Sequence, residues 1–172
     1  ERLRKALEIA PEDHYVNWQL GQVLASRGQS EEADRLFRNA IRIDSTFIPA
    51  YLDVASLLKK EGRTDQACDV LREAIRIKPD DLRSYCLLGD SLAETGETSE
   101  ASDMYRKALE RNSDCLPALS SLAELLTASA AADAQAGIQA VGYATRACEL
   151  TKYQDFDALI TLSDSHAAVG NL

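Results

Sequence analysis

The amino-acid sequence repeats itself at a constant interval, and this feature constrains the fold more than any other. The segment RNAIRID from Arg38 returns as REAIRIK from Arg72 and loosely as RKALERN from Arg106. Apolar residues within each repeating unit are spaced by three, four and seven, the pattern of an amphipathic helix. The copies begin 34 residues apart. A fixed interval of 34 residues predicts one small structural unit that is stacked repeatedly along the chain. Small and bulky residues keep the same interval: Gly28, Gly62 and Gly96; Ala33, Ala67 and Ala101; Ala6, Ala40, Ala74 and Ala108; Leu3, Phe37, Leu71 and Tyr105; Leu20, Val54, Leu88 and Leu122.

Each unit is predicted to be two antiparallel helices joined by a tight turn. The repeated glycines stand between two helical patterns, where a left-handed backbone conformation ends the first helix. Acidic residues near the start of the second helix, and Pro49 and Pro117 at the start of later first helices, agree with the preferences of helix termini. A hydroxyl residue follows each glycine by two positions and is the expected N-cap of the second helix: Ser30, Thr64 and Thr98.

This unit resembles the tetratricopeptide repeat (TPR), a unit of about 34 residues whose pattern is Trp-x-x-Leu-Gly-x-x-Tyr followed by Gly, Ala, Phe, Ala and Pro. The resemblance implies an all-α fold, a right-handed superhelical α-solenoid of antiparallel helix pairs. It covers almost the whole chain. The residues that carry it are Leu20, Gly21, Leu24, Gly28, Ala33, Phe37 and Ala40 in the first full unit; Tyr51, Val54, Ala55, Leu58, Gly62, Ala67, Leu71, Ala74 and Pro79 in the second; and Tyr85, Leu88, Gly89, Leu92, Gly96, Ala101, Tyr105 and Ala108 in the third.

The repeat step divides the chain into one array with unequal members. Residues 14–47, 48–81 and 82–115 are predicted full repeats, and residues 116–155 form a long repeat with an insertion. Residues 1–13 read as the end of a truncated repeat and residues 156–172 as the first helix of an incomplete one, as expected for a fragment of a longer array. The insertion near Ala130 and Gly137 is either two lengthened Ala-rich helices or a protruding loop.

Composition narrows the class of partner. The formal net charge of −9 argues against sequence-independent binding to nucleic acid or to anionic lipid, and favours basic or apolar protein partners. No apolar run approaches the roughly 20 residues that cross a bilayer, so membrane insertion is not expected. Cys68, Cys86, Cys115 and Cys148 form no metal-binding spacing; they are expected to be buried thiols in a reducing compartment such as the cytoplasm.

The TPR resemblance implies a concave groove lined by the first helices, which usually holds a peptide or another protein. The repeat step places two rows there, with Tyr15 one turn earlier, and the contacts it predicts are Tyr15, Trp18, Gln22, Leu52, Ser56, Cys86, Asp90, Ser120 and Glu124. Two alternatives remain open: Tyr15 and Trp18 pack against a preceding repeat, and the acids form a solvated face. The row beside Trp18 carries no asparagine ladder, since it reads Gln19, Asp53, Leu87, Ser121 and Thr161.

Nothing in the sequence points to catalysis, a metal or a cofactor. His14 and His166 lie near opposite ends of the array, and Asp164, Ser165 and His166 are successive helical residues that point about 100° apart. The first hypothesis is a non-catalytic protein-interaction scaffold. The alternative is a regulatory or substrate-docking region of a larger enzyme. Self-association through the end helices, with Leu159 and Leu162 uncovered, is a third hypothesis.

Overall fold

The computed structural model describes residues 2–131 and 133–170, and over these residues the chain is helical with no strand. This confirms the predicted all-α class and the repeated arrangement of helices. Two helices fall in each predicted full repeat, while the repeat boundaries themselves stay a prediction. The ten helices of the described residues are α1 (Arg2–Ile9), α2 (His14–Ser26), α3 (Ser30–Ile43), α4 (Ile48–Lys60), α5 (Thr64–Ile77), α6 (Leu82–Thr95), α7 (Thr98–Arg111), α8 (Leu116–Ser129), α9 (Ala134–Leu150) and α10 (Phe156–Gly170).

The turn within each full repeat is built as predicted on a left-handed glycine. Gly28, Gly62 and Gly96 have φ angles of +77°, +74° and +87°. The amide after each glycine donates to the carbonyl five residues earlier, as Gln29 does to Leu24 at 3.0 Å and Arg63 does to Leu58 at 2.9 Å. The left-handed glycine and this hydrogen bond together end the first helix. The bond supplies a donor to a carbonyl that the end of the helix would otherwise leave without one.

The predicted hydroxyl caps are wrong by one position. Ser30, Thr64 and Thr98 are the first helical residues of α3, α5 and α7, and the residues before them make no side-chain capping bond. The tight glycine turn brings the chain straight into the second helix, so the hydroxyl is already inside it. Side-chain caps occur instead on residues such as Asp13, which accepts from the amides of Tyr15 and Val16 at 2.8 and 3.1 Å.

The chain divides into two compact units, Glu1–Leu87 (unit 1) and Leu88–Leu172 (unit 2). In unit 1, α2 packs on α3 and on α4, and α4 packs on α5. Gly21 lies directly over the ring of Phe37: a Cβ atom at this glycine would stand 2.6 Å from Phe37 Cε1. The repeated alanines are fully buried at these helix contacts, which explains why the interval preserves small residues there: Ala33, Ala40, Ala67 and Ala74.

In unit 2, α8 packs on α7, α9 and α10, and α9 packs on α10. The Gly21 and Phe37 contact recurs here, since a Cβ at Gly89 would stand 2.5 Å from Tyr105 Cε1. Glycine and a large ring are therefore paired choices within one repeat, because the ring fills the space a side chain on the first helix would need.

The insertion lengthens α9 by three residues relative to α7, and the rest of it falls between the helices. Relative to the start of the preceding helix, α9 begins two positions later than the second helices of the full repeats, and α10 begins four positions later than the corresponding first helices. The second helix is lengthened to 17 residues, whereas α8 keeps the 14 residues of α6 and α7. The sequence left open two lengthened helices or a protruding loop, and only α9 is lengthened. Ala132, which belongs to the insertion, lies outside the described residues. The α9–α10 turn places two non-glycine residues in the left-handed region, Lys152 at φ 53° and Tyr153 at φ 57°.

Leu159 and Leu162 of α10, which the sequence predicted to be uncovered, are in fact covered in part. Leu159 and Leu162 are partly buried against a core of Leu119, Ala147, Cys148 and Ala158. The exposed apolar side chains of α10 are Phe156, at 74% exposure, and Ile160, at 44%. The leucines of α10 pack toward α8 and α9. The uncovered apolar surface of this helix is therefore formed by Phe156 and Ile160. All four cysteines are buried and form no disulfide, as predicted.

Candidate functional site

A shared carboxylate joins the first helices α2 and α4 of unit 1. The indole Nε1 of Trp18 on α2 donates to Asp53 Oδ2 on α4 at 2.6 Å. The amide Nε2 of Gln22, one turn along α2, donates to the same oxygen at 3.1 Å. A hydrogen bond to an ionised acceptor is stronger than one between neutral groups, so this bridge fixes the orientation of the indole.

An aromatic cluster lies beside this bridge and consists of His14, Tyr15, Trp18 and Phe47. The ring of Trp18 lies 5.3 Å from that of Tyr15 and 5.4 Å from that of Phe47, centroid to centroid. His14 meets the edge of Phe47 at 4.8 Å. Tyr15 is 48% exposed while Trp18 is partly buried, so the cluster presents aromatic surface to solvent. The contacts of Phe47 with His14 and Trp18 are edge-to-face, and such packing stabilises the rings beyond the area they bury.

A small cleft, here called the Asp53 cleft, adjoins the bridge and shares Gln22 and Asp53 with it. Its volume is about 240 Å³. Ser56 and Lys60 reach it from α4, and Phe37 of α3 also lines it. Polar and apolar groups share its wall, and the carboxylate of Asp53 belongs both to this cleft and to the bridge. The cleft is lined by Gln22, Ala25, Ser26, Phe37, Asp53, Ser56, Leu57 and Lys60.

Unit 2 carries related polar contacts on its own first helices. Asp90 Oδ1 accepts from the hydroxyl of Tyr105 at 2.7 Å and from that of Ser121 at 3.4 Å. Thr161 on α10 donates to Glu124 Oε1 on α8 at 3.4 Å. Tyr105 takes the place of Phe37 in the repeat, and its hydroxyl adds a bond to the groove-row acid that a phenylalanine could not supply.

These contacts follow one rule of spacing. The pairs Gln22 with Asp53 and Asp90 with Ser121 are both 31 residues apart. Glu124 and Thr161 are 37 residues apart, which is the same relation once the lengthening of the fourth repeat is included. The row of Gln22, Ser56, Asp90 and Glu124 therefore bonds with the neighbouring row of Asp53, Ser121 and Thr161 in three places. Leu87 interrupts the series because its side chain has no polar atom.

The sequence placed these two rows but did not predict that they would bond to each other. Asp53 in particular was not named as a site residue, although it joins two residues that were. A usable signal existed, because donor and acceptor types pair at a spacing slightly shorter than the repeat. That offset is the displacement between neighbouring first helices, and a periodicity search for identical residues does not detect it.

The nine predicted contact residues differ in how much surface they present. Leu52 and Cys86 are 4% and 7% exposed, so their side chains offer little area of their own. Two of the nine, Trp18 and Gln22, are brought together through Asp53. Their use as contacts stays a prediction. Tyr15, Gln22 and Glu124 are exposed, as is Ser56, and the partly buried members are Trp18, Asp90 and Ser120.

Other kinds of site find no support in the described part of the chain. No group of His, Cys, Asp or Glu side chains within residues 2–131 and 133–170 is arranged to hold a metal ion. None of the helices the structure describes combines the length and apolarity needed to cross a bilayer. Ser165 is fully buried and donates to the carbonyl of Thr161 at 2.7 Å, while its sequence neighbours Asp164 and His166 are exposed.

Comparison with known families decides what kind of array this is. Two sequence models, both described as tetratricopeptide repeat, match residues 14–47 and 45–114. The chain belongs to the tetratricopeptide repeat family. TPR arrays are protein-interaction scaffolds, and this chain is a scaffold of that class. Comparison with curated protein sequences gave no match.

Solved structures agree with the TPR fold. TTC0263, a thermophilic TPR protein of Thermus thermophilus, gives a TM-score of 0.74 at 19% identity, covering 96% of this chain and 87% of that chain. MamA from Desulfovibrio magneticus RS-1, from residue 41 to its end, gives 0.71 at 20% identity, with coverages of 89% and 84%. YrrB, described as a TPR protein with an unusual peptide-binding site, gives 0.70 at 18% identity, with coverages of 98% and 92%. At these identities the likeness shows the fold alone.

Proposed function

We propose that the first-helix face of unit 1 binds an extended segment of a protein partner. The proposed contacts are Tyr15, Trp18, Gln22, Leu52 and Ser56, and we add Asp53 because it bonds with two of them. YrrB is a TPR protein described as having a peptide-binding site, which makes a peptide the first ligand class to test. Aromatic side chains of this kind often dominate the affinity of a protein interface.

The bridge at Asp53 carries this proposal. Trp18 and Gln22 both donate to Oδ2 of Asp53. Neither of these two donors uses the other carboxylate oxygen, Oδ1, which can therefore accept a hydrogen bond from a ligand. An amide or a basic side chain of a bound segment can donate to that oxygen. Because the indole is already held by its bond, binding loses less side-chain entropy than it would at a freely rotating tryptophan. The adjacent Asp53 cleft has room for one partner side chain.

Unit 2 is proposed to contribute a more polar surface of its own. Asp90, Ser120 and Glu124 lie on its first helices, and each of the two acids already accepts a hydroxyl within the unit. The hydroxyl groups that donate to Asp90 and Glu124 carry no positive charge, so these acidic side chains can still attract Lys or Arg side chains of a ligand. Cys86, on the part of α6 that belongs to unit 1, is retained as a predicted contact. The expected ligand residues are therefore apolar or aromatic at unit 1, with one donor to Asp53, and basic at unit 2.

The test is selection of peptides from a displayed random library against the full 172-residue chain. Selected peptides are expected to lose at least about tenfold in affinity for the Trp18→Ala/Gln22→Ala variant, because an anchor is truncated and Asp53 loses both donors. Tyr153→Ala removes an exposed aromatic ring elsewhere and is the matched control. Peptides that bind the native chain and the Trp18→Ala/Gln22→Ala variant equally well would place binding outside this face.

A further inference from the structure

A second groove in unit 1 lies between the second helices α3 and α5, with α4 as its floor. Its volume is about 450 Å³, and it shares no residue with the Asp53 cleft. We propose that this second-helix groove binds an amphipathic helix of a protein partner, one flank of which is acidic and the other basic. The groove is lined by Arg38, Ile41 and Arg42 of α3, by Tyr51 and Val54 of α4, and by Asp69, Val70 and Glu73 of α5.

The floor of the groove is apolar and already satisfied in its hydrogen bonds. The hydroxyl of Tyr51 donates to the carbonyl of Ser45 at 3.1 Å, so its proton is already used within the chain. Burial, and next the nearby Glu73 carboxylate, raises the pKa of Tyr51 above its ordinary value of 10.0. Ile41 and Val70 are partly buried on either side. Such a surface favours aliphatic or aromatic side chains inserted from a partner.

The two walls carry opposite charge. Arg38 and Arg42 belong to the α3 wall, and Asp69 and Glu73 belong to the α5 wall. Arg38 and Asp69 are separated by the same interval as the bonded polar pairs of the first helices, and so are Arg42 and Glu73. On the first helices that spacing gives hydrogen bonds between neighbouring helices. Within the described residues, no ion pair or hydrogen bond joins these two walls.

Each wall is neutralised along its own side instead. Arg38 pairs with Asp34 at 2.7 Å, and Arg42 pairs with Glu12 at 2.9 Å. On the other wall, Arg76 bonds Glu73 at 2.6 Å, and Arg72 pairs with Asp69 at 3.5 Å. These partners are largely solvent-exposed, and such pairs contribute little stability, so a ligand can exchange them at small cost. The groove therefore stays open rather than being closed by its own charges.

Charge complementarity identifies the occupant. A ligand of one sign would meet attraction from one wall and repulsion from the other, whereas a ligand with one acidic and one basic flank is attracted by both. The ligand must contact three surfaces of the groove at once: the apolar floor, the α3 wall and the α5 wall. An extended strand presents side chains in two opposite directions, while a helix presents an apolar stripe and two flanks at once. An amphipathic helix with an apolar stripe at three- and four-residue spacing meets all three requirements.

The test uses three synthetic helical peptides with the same leucine stripe and flanks that are mixed Glu and Lys, all Glu, or all Lys. Binding to the full chain is measured by fluorescence anisotropy of labelled peptides. The mixed peptide is expected to bind at least about fivefold more tightly than either uniform peptide, since one repulsive flank is removed. Equal affinity for the three peptides, or no binding of the mixed peptide at millimolar concentration, overturns the proposal.

A charge reversal of one wall sharpens the test. Arg38→Glu/Arg42→Glu makes both walls acidic and is expected to transfer the preference to the all-Lys peptide. Val70→Trp fills the groove and is expected to weaken all three peptides, with retained helicity checked by circular dichroism. Trp18→Ala on the first-helix face should leave these affinities unchanged, which separates this groove from the site of the proposed function. An unchanged peptide preference in Arg38→Glu/Arg42→Glu would show that the walls do not select the ligand.

Discussion

Lys152 and Gly62 occupy the same position in two helix endings, although only one of them is glycine. The amide of Tyr153 donates to the carbonyl of Cys148 at 2.7 Å, five residues earlier, as the amide of Arg63 does to Leu58. Lys152 therefore has the left-handed backbone that glycine supplies elsewhere in the chain. A side chain with a Cβ atom makes this conformation less favourable, and so the α9–α10 turn holds local backbone strain.

Replacing Lys152 by glycine is expected to raise the free energy of unfolding by about 0.5–1 kcal/mol, because the strain is removed and the side chain is exposed. Urea denaturation followed by circular dichroism measures it. The reciprocal control is Gly62→Ala, whose added Cβ meets no atom within 4 Å. Only backbone strain remains in that variant, so it should lose about 1 kcal/mol. A loss of stability in Lys152→Gly would contradict this account of the turn.

At the scale of helices, the bond from Trp18 to Asp53 is the shorter of two hydrogen bonds that link the first helices α2 and α4, the other being donated by Gln22. Its length of 2.6 Å and its charged acceptor indicate a contact that contributes to the packing of α2 on α4. The same bond orients the aromatic cluster, so packing and the proposed binding face depend on one interaction.

A double-mutant cycle tests this link. Trp18→Phe and Asp53→Ala are expected to be coupled by about 1 kcal/mol in the free energy of unfolding, because each removes one partner of the same hydrogen bond. Tyr15→Phe combined with Asp53→Ala is the control pair and should be additive within a few tenths of a kcal/mol. Additive effects of Trp18→Phe and Asp53→Ala would mean that the bond does not hold the helices together in solution.

At the scale of the whole molecule, exposed apolar residues on α10 bear on the oligomeric state. Phe156 and Ile160 are four residues apart on one side of this helix and are exposed, while the net charge of −9 opposes association of like molecules. Salt screens that repulsion without weakening apolar contact. Association through α10 should therefore become stronger as the salt concentration increases.

Phe156→Ser/Ile160→Ser is expected to reduce any self-association by at least about tenfold in dissociation constant, because two large apolar side chains are lost from each copy. Light scattering over a range of protein and salt concentrations measures this. Tyr153→Ser, which removes an exposed ring from the neighbouring turn, is the control. Association that is the same in the native chain and in Phe156→Ser/Ile160→Ser would exclude α10 as the interface.

Much of the fold could be predicted because stacking imposes the same local demands on every repeat. Gly28 and its equivalents must adopt a left-handed turn, and Ala40 and Ala74 must admit a neighbouring helix, so these residue types recur at a constant interval. The helix pairs, the glycine turns and the buried thiols follow from such local demands. The α9 lengthening was predicted only as one alternative, since an Ala-rich segment such as that around Ala130 fits either a helix or a loop.

The sequence by itself determined which residues are equivalent, and thereby the helix-turn-helix unit and the rows of its first helices. Only the tertiary structure decided which rows of residues contact each other. These contacts depend on the displacement of one helix pair relative to the next, and the repeat period does not specify that displacement. That displacement brings Asp53 to Trp18 and Gln22, and leaves Arg38 facing Asp69 across an open groove. It also buries Leu52 while exposing Tyr15, a difference that depends on how closely neighbouring helices approach each other.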